Sequence, residues 1–198
     1  MVPAVRSHTR RPGTGPRQAD AIYTTTLELL RHRGFDDLTI EEIAARSGVN
    51  KTTIYRWWSD KDALLADTLG NADLLDLPVP DTGNLRDDLV ALVSGVADLL
   101  TDPDTGELAA VVFAATVHRP GLTSIARGFF ADRLDRERIV FARAVQRGEI
   151  PADTDVAAVA DLLMGALWVR GLLRGHPMPA DFLDQLVDIV LTGVGVRR

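Results

Sequence analysis

Lys51, Thr52, Thr53, Tyr55, Arg56, Trp57 and Lys61 crowd one short stretch of a 198-residue chain. Lys51, Thr52 and Arg56 are of the types that reach base edges or phosphate, and the hydroxyls of Thr53 and Tyr55 can donate to phosphate oxygens. Lys61 adds a charge suited to an anion beside a helix start. Together this is chemistry for holding a nucleic acid, not for making or breaking bonds. No competing cluster exists for catalysis. The chain has no cysteine, so thiolate nucleophiles, thiolate metal sites and disulfides are excluded. Its histidines (His8, His32, His118, His176) are scattered without metal-ligand spacing, and no nucleophile stands beside a base. No enzyme activity, metal or cofactor is expected.

Those side chains are useful only on the outer face of a helix that is held from behind. Thr39 and Glu42 stand at capping-box spacing, so a helix starts at Ile40 with Ile43 and Ala44 facing inward. Gly48 ends it where a left-handed backbone is wanted. Val49 fills the corner, and Asn50 caps a second helix whose Ile54 and Trp58 face the core. A small residue, a glycine and then an aliphatic residue at these intervals form helix-turn-helix spacing, with the second helix free to enter a major groove. A helical corner in an ordinary bundle has the same spacing, and a helical adaptor that binds protein is the competing class.

The run from Leu38 through Ile54-Tyr55-Arg56-Trp57-Trp58 to Leu65 closely resembles the DNA-binding signature of the TetR family of regulators. The resemblance covers about residues 17–66, and Arg147-Gly-Glu-Ile with Leu162 to Arg170 looks like one of that family's C-terminal domains. It assigns Thr53, Tyr55 and Lys61 to phosphate, and Lys51 and Thr52 to bases. Thr52 stands where the family often has glycine. Trp57-Trp58 stands where histidine or tyrosine followed by phenylalanine is usual, so Trp58 is expected to take over the phenylalanine's packing.

Around this motif the periodicity is helical throughout, and an all-α fold is expected. A first helix runs from about Pro16 to Arg33, with Gly34 as its stop. Ser59 to Asp62 reads as a capped start, the Ser59 hydroxyl serving the free N–H groups of a fourth helix that runs toward Leu75. Beyond Pro78, Pro80 and Gly83 come a helix from Leu85 to Leu100, an interruption at Asp102-Pro103-Asp104 and a short helix from Leu108 to Ala115. A long helix follows Pro120, the next spans Val156–Leu173 behind an Asp153 or Asp155 cap, and the last begins at Pro179. The expected organisation is a mobile basic arm (1–15), a three-helix DNA-binding domain with its connecting fourth helix (16–75), and a helical ligand-binding and dimerisation domain (76–198).

Charge agrees with a division of labour. The net charge is -6, yet residues 1–70 hold ten Lys/Arg against nine Asp/Glu, and Arg6, Arg10, Arg11 and Arg17 precede any acid. One end can approach phosphate while the body stays acidic. No secretory signal and no run of 18 uninterrupted apolar residues is present, so a cytoplasmic protein without a membrane partner is expected. Residues 156–173 are apolar on more faces than one core requires, which fits burial between subunits. By the resemblance, the last two helices pair as a homodimer on a double-stranded, palindromic operator, and an unidentified small molecule releases it, repression being the family's usual mode. Phe113, Thr116, His118, Arg127, Phe129, Phe141, Met164 and Trp168 are the candidates for lining that molecule's pocket, though most of these residue types serve equally as plain core.

Overall fold

A computed structural model describes residues 18–71, 77–118 and 120–195, and within them the side chains outside 115–122, 125–126, 129–130, 132 and 194–195. The fold is all-α; no strand occurs among the described residues. The helices are α1 (Ala19–Arg33), α2 (Ile40–Ser47), α3 (Lys51–Trp57), α4 (Lys61–Gly70), α5 (Leu85–Thr101), α6 (Pro103–His118), α7 (Pro120–Gln146), α8 (Val156–Trp168) and α9 (Ala180–Gly195). A π-helical turn, Val169–Leu173, extends α8.

The chain divides into two compact units: Met1–Asp76 with Val111–Leu122, and Leu77–Ala110 with Thr123–Arg198. In the first, α1 packs on α2 and α4, and α2 packs on α3. Ile22, Leu29, Leu30, Leu38, Ile43, Ile54, Leu64 and Leu65 are fully buried there. Removing side chains of this size from water is the main source of stability for so small a core, at roughly 1.5–3 kcal/mol each. The expected helix start at Pro16 and the arm at 1–15 lie outside the described residues, as do 72–76, through which α4 was expected to continue.

In the second unit α5 packs against α8 and α9. Leu89, Leu92, Val93, Val140, Phe141, Val159, Leu163, Leu167, Leu183 and Val187 form its core. The Arg147-Gly-Glu-Ile segment closes the end of α7 onto the start of α5. Glu149 accepts the Leu85 backbone N–H at 2.5 Å, satisfying one of the free donors of α5, and also holds the Arg147 guanidinium. The other face of Arg147 lies 3.8 Å from Asp88, a fully buried carboxylate that takes the Thr82 N–H and hydroxyl, each at 2.7 Å. Ile150 then turns into the core. Arg86 spans α5 and α9, at 2.9 Å from Asp184 and 2.7 Å from Asp188.

Three boundary expectations are corrected. Asp60, not Ser59, caps α4: its carboxylate accepts the Ala63 N–H at 2.8 Å, while the Ser59 hydroxyl donates to Asp60. The interruption at Asp102-Pro103-Asp104 is present, since α5 ends at Thr101, but α6 opens at once, at Pro103, and runs 16 residues where a short helix is expected. Asp102 accepts the N–H groups of Asp104 and Thr105 at 3.0 and 2.9 Å, and Pro103 sits at the first helical position, where a missing N–H costs nothing. The continuous helix expected over Val156–Leu173 changes to π geometry after Trp168. There Gly171 packs on Met178, whose Cε would lie 3.1 Å from a Cβ at that position and would have to shift by a few tenths of an ångström. Of the two caps proposed for α8, Asp155 is the one used, accepting from the Ala158 N–H.

Candidate nucleic-acid interface

Thr39 accepts the Glu42 N–H, so α2 starts where the capping spacing places it. The return half of the capping box is not made: the Glu42 carboxylate pairs with Arg33 of α1 at 2.8 Å. Gly48 adopts φ 70 and ψ 16, a left-handed conformation that favours glycine, and turns the chain into α3. Asn50 caps α3 by accepting the Thr52 N–H at 2.9 Å, and the Thr52 hydroxyl donates to the same oxygen. Ile43 and Ile54 are buried between the two helices, and Ala44 is half-buried.

Because Ile54 is the buried side chain of α3, its neighbours turn outward. Lys51, Thr52 and Arg56 are exposed, Tyr55 and Trp57 are each 45% exposed, and Thr53 is half-buried. Such a face offers a cation, hydroxyls, a guanidinium and two aromatic rings to a groove. The Lys51 ammonium hydrogen-bonds Glu41 of α2 and lies 5.6 Å from the Tyr55 ring. This pairing raises the Lys51 pKa and lowers that of Glu41.

Lys61, at the start of α4, donates to the carbonyls of Phe35 and Asp36 at 2.8 and 3.3 Å and lies 4.3 Å from the Phe35 ring. Its charge therefore ties α4 to the turn between α1 and α2. Trp58 is buried, as expected, but its Nε1 also donates to Asp67 of α4 at 2.8 Å. The Tyr23 hydroxyl of α1 donates to the same carboxylate oxygen at 2.6 Å. Neither Glu41 nor Asp67 was singled out from the sequence. For Asp67 a signal was present, since a buried indole N–H demands an acceptor and Asp67 lies beside Leu64, Leu65 and Thr68 on the buried side of α4.

Residues 22–68 match the family model described as "Bacterial regulatory proteins, tetR family", and residues 79–190 match "Tetracyclin repressor-like, C-terminal domain". The chain belongs to the TetR family. Similarity extends over most of the length. An uncharacterised HTH-type transcriptional regulator of Bacillus subtilis, YdeS, is 30% identical over 88% of both chains. The DNA-binding transcriptional repressor TetR of Mycobacteroides abscessus is 32% identical over 89% of this chain and 93% of its own. The crystal structure of the TetR family transcription regulator SCO0332 aligns with a TM-score of 0.73 at 31% identity, covering 91% of this chain and 100% of that one. This TetR-family chain is accordingly a DNA-binding transcriptional regulator and not an enzyme.

Of the effector-pocket candidates, three come together in the second unit. Phe141 is core, with Met164 and Trp168 partly buried against the same cluster. Phe113 and Arg127 are exposed. The side chains of Thr116, His118 and Phe129 lie outside those described. The concavity of about 890 Å³ formed by Arg86, Asp181, Asp184, Gln185, Asp188, Ile189 and Thr192 is an open depression, and none of the candidates is among the residues that line it.

Proposed function

We propose that this regulator is a cytoplasmic repressor that binds a palindromic operator as a twofold homodimer and leaves it when a small molecule occupies the second unit. The division of labour is that read from the sequence, with DNA recognition in 16–75 and ligand binding and dimerisation in 76–198. The observation that carries the reading is the face of α3, where Ile54 is buried behind a surface of cationic, hydroxyl and aromatic groups. Lys51 and Thr52 read base edges; Thr53, Tyr55 and Lys61 hold phosphate, with Arg56 and Trp57 flanking them. Likeness to the Mycobacteroides abscessus repressor favours repression over activation.

Dimerisation through α8 and α9 is supported by apolar side chains turned to water: Leu162, Val169, Ile189 and Leu173, the last 70% exposed. Val156–Leu173 is long and apolar enough, by length and composition, to cross a membrane. Val159, Leu163 and Leu167 nonetheless pack it into the core of the second unit, and Asp161 and Arg170 interrupt it. A second copy is the cover we assign to its outer side. A mostly apolar effector lodged among residues such as Phe141, Met164 and Trp168 would shift the protein toward an arrangement in which the recognition helices no longer match two half-sites.

The test uses the DNA flanking the protein's own gene, searched for a palindrome and titrated by mobility shift. Lys51→Ala or Thr52→Ala should change the preferred sequence, at about 1–3 kcal/mol per lost base contact. Lys61→Ala should weaken binding to every duplex and reduce the salt slope by about one unit. If neither effect occurs, the assignment of α3 to the groove is wrong.

A further inference from the structure

We propose that Asp67 is a positioning residue for DNA recognition, fixing the exit of the recognition helix to α1 and α4 through one carboxylate oxygen. Its Oδ2 accepts two hydrogen bonds, from the Tyr23 hydroxyl at 2.6 Å and from the Trp58 indole N–H at 2.8 Å. Both donors are buried, with their rings edge to face at 6.0 Å and 68°. The other oxygen, Oδ1, takes the Asn71 side-chain amide at 3.1 Å, so the carboxylate is oriented from both sides. Three segments of the first unit therefore meet at one acid: α1, the residue that ends α3, and α4.

The need for such a tether follows from the size of α3. It is seven residues long, and Ile54 is its buried side chain. Ile54 and the exposed Lys51–Glu41 pair hold it against α2. Trp58 anchors its C-terminal end: its backbone N–H bonds the Ile54 carbonyl at 2.9 Å, closing the last turn, while its side chain is pinned by Asp67. Trp57, the neighbour of this pinned residue, is exposed, and Tyr55 and Arg56 stand in the same last turn. Whatever fixes Trp58 fixes where those three point. A phenylalanine in place of Trp58 would fill the space but could not bond the acid, so this chain carries a polar anchor that packing alone would not provide.

The proposal rests on α3 being the helix that reads DNA, and the experiment separates the two. The wild-type protein is used to select a duplex from a random library, and each variant is titrated against that duplex and a scrambled one of equal length. Trp58→Phe and Tyr23→Phe each remove one donor, and Asp67→Ala removes the acceptor. Each should cut the preference for the selected duplex by roughly tenfold, the scale of a lost charge-assisted bond, with binding to the scrambled duplex unchanged. Asp67→Asn keeps an oxygen for both donors but loses the charge and turns its amide N–H toward that of Asn71, so its loss should be smaller than that of Asp67→Ala. Trp58→Phe combined with Asp67→Ala should be little worse than Asp67→Ala, since one unit is lost in both. An unchanged preference in Trp58→Phe and Asp67→Ala, or equal losses on both duplexes, overturns the positioning role while leaving α3 as the reading helix. A wild-type protein that selects no duplex overturns the reading of α3 and this role with it.

Discussion

On the outer face of α3 the Lys51 ammonium lies against the Glu41 carboxylate, with 48% and 59% of the two side chains in solvent. A pair so exposed contributes little to folding. Its weight falls on binding, because an incoming phosphate or base must compete with Glu41 for the same cation. Glu41→Gln should therefore tighten binding to any duplex by about threefold and steepen its salt dependence by up to about one unit, as one uncompensated charge is added. Titration at two salt concentrations checks this, and an unchanged slope would show that Glu41 does not compete. The exposed residues of α3 were legible in the sequence because a 3.6-residue period separates Ile54 from its neighbours. Glu41 was not, since its reach to Lys51 depends on how α2 and α3 cross. Asp67 left only the indirect signal of an indole N–H in want of an acceptor, because its partners come from residues 23 and 58 in other segments.

Three helices, α4, α6 and α8, owe their beginnings to carboxylates. Asp60 is held below its usual pKa by the Ala63 N–H and then the Ser59 hydroxyl, and Asp102 chiefly by the Thr105 N–H. Such a group binds fewer protons folded than unfolded. Its stabilising effect is complete above the ordinary carboxylate value of about 4 and is lost as pH falls through the lower, folded value. Thermal unfolding midpoints should accordingly drop on acidification below about pH 4. Asp60→Asn, which still caps a helix, should keep the neutral midpoint and flatten part of that acid limb. Asp60→Ala should lower the midpoint by a few degrees at neutral pH. Caps are short-range, so Thr39 and Asn50 could be read directly, and Asp155 as one of two candidates. Asp102-Pro103 has two meanings at once, ending α5 and, as a cap followed by a first-turn proline, starting α6. The π turn, Val169–Leu173, left no mark in the helical periodicity.

For the molecule as a whole, the all-α class and the order of helices were legible, because hydrophobic stripes persist from α1 to α9. An effector site was not. Phe141, Met164 and Trp168 look the same in sequence whether they face a ligand or one another, and here all three belong to or pack on the core. The outward apolar residues of α8 and α9 give a sharper expectation. Leu162→Asp with Ile189→Asp should yield a monomer by light scattering at micromolar concentration. It should also abolish the advantage of a palindrome, with half-sites roughly one helical turn or a multiple apart, over a single half-site. A dimer mass retained by this variant would move the interface elsewhere. The start of α5 carries one more consequence. Its Leu85 N–H is satisfied by Glu149, and its Arg86 by Asp184 and Asp188, near the far end of the chain. During synthesis this helix emerges early yet must wait for the last one to be made, while Leu89 and Val93 lack the α9 surface that will cover them. A chain truncated before residue 180 would leave that flank open and should be cut by added protease faster than the full chain, which limited proteolysis of the two would check.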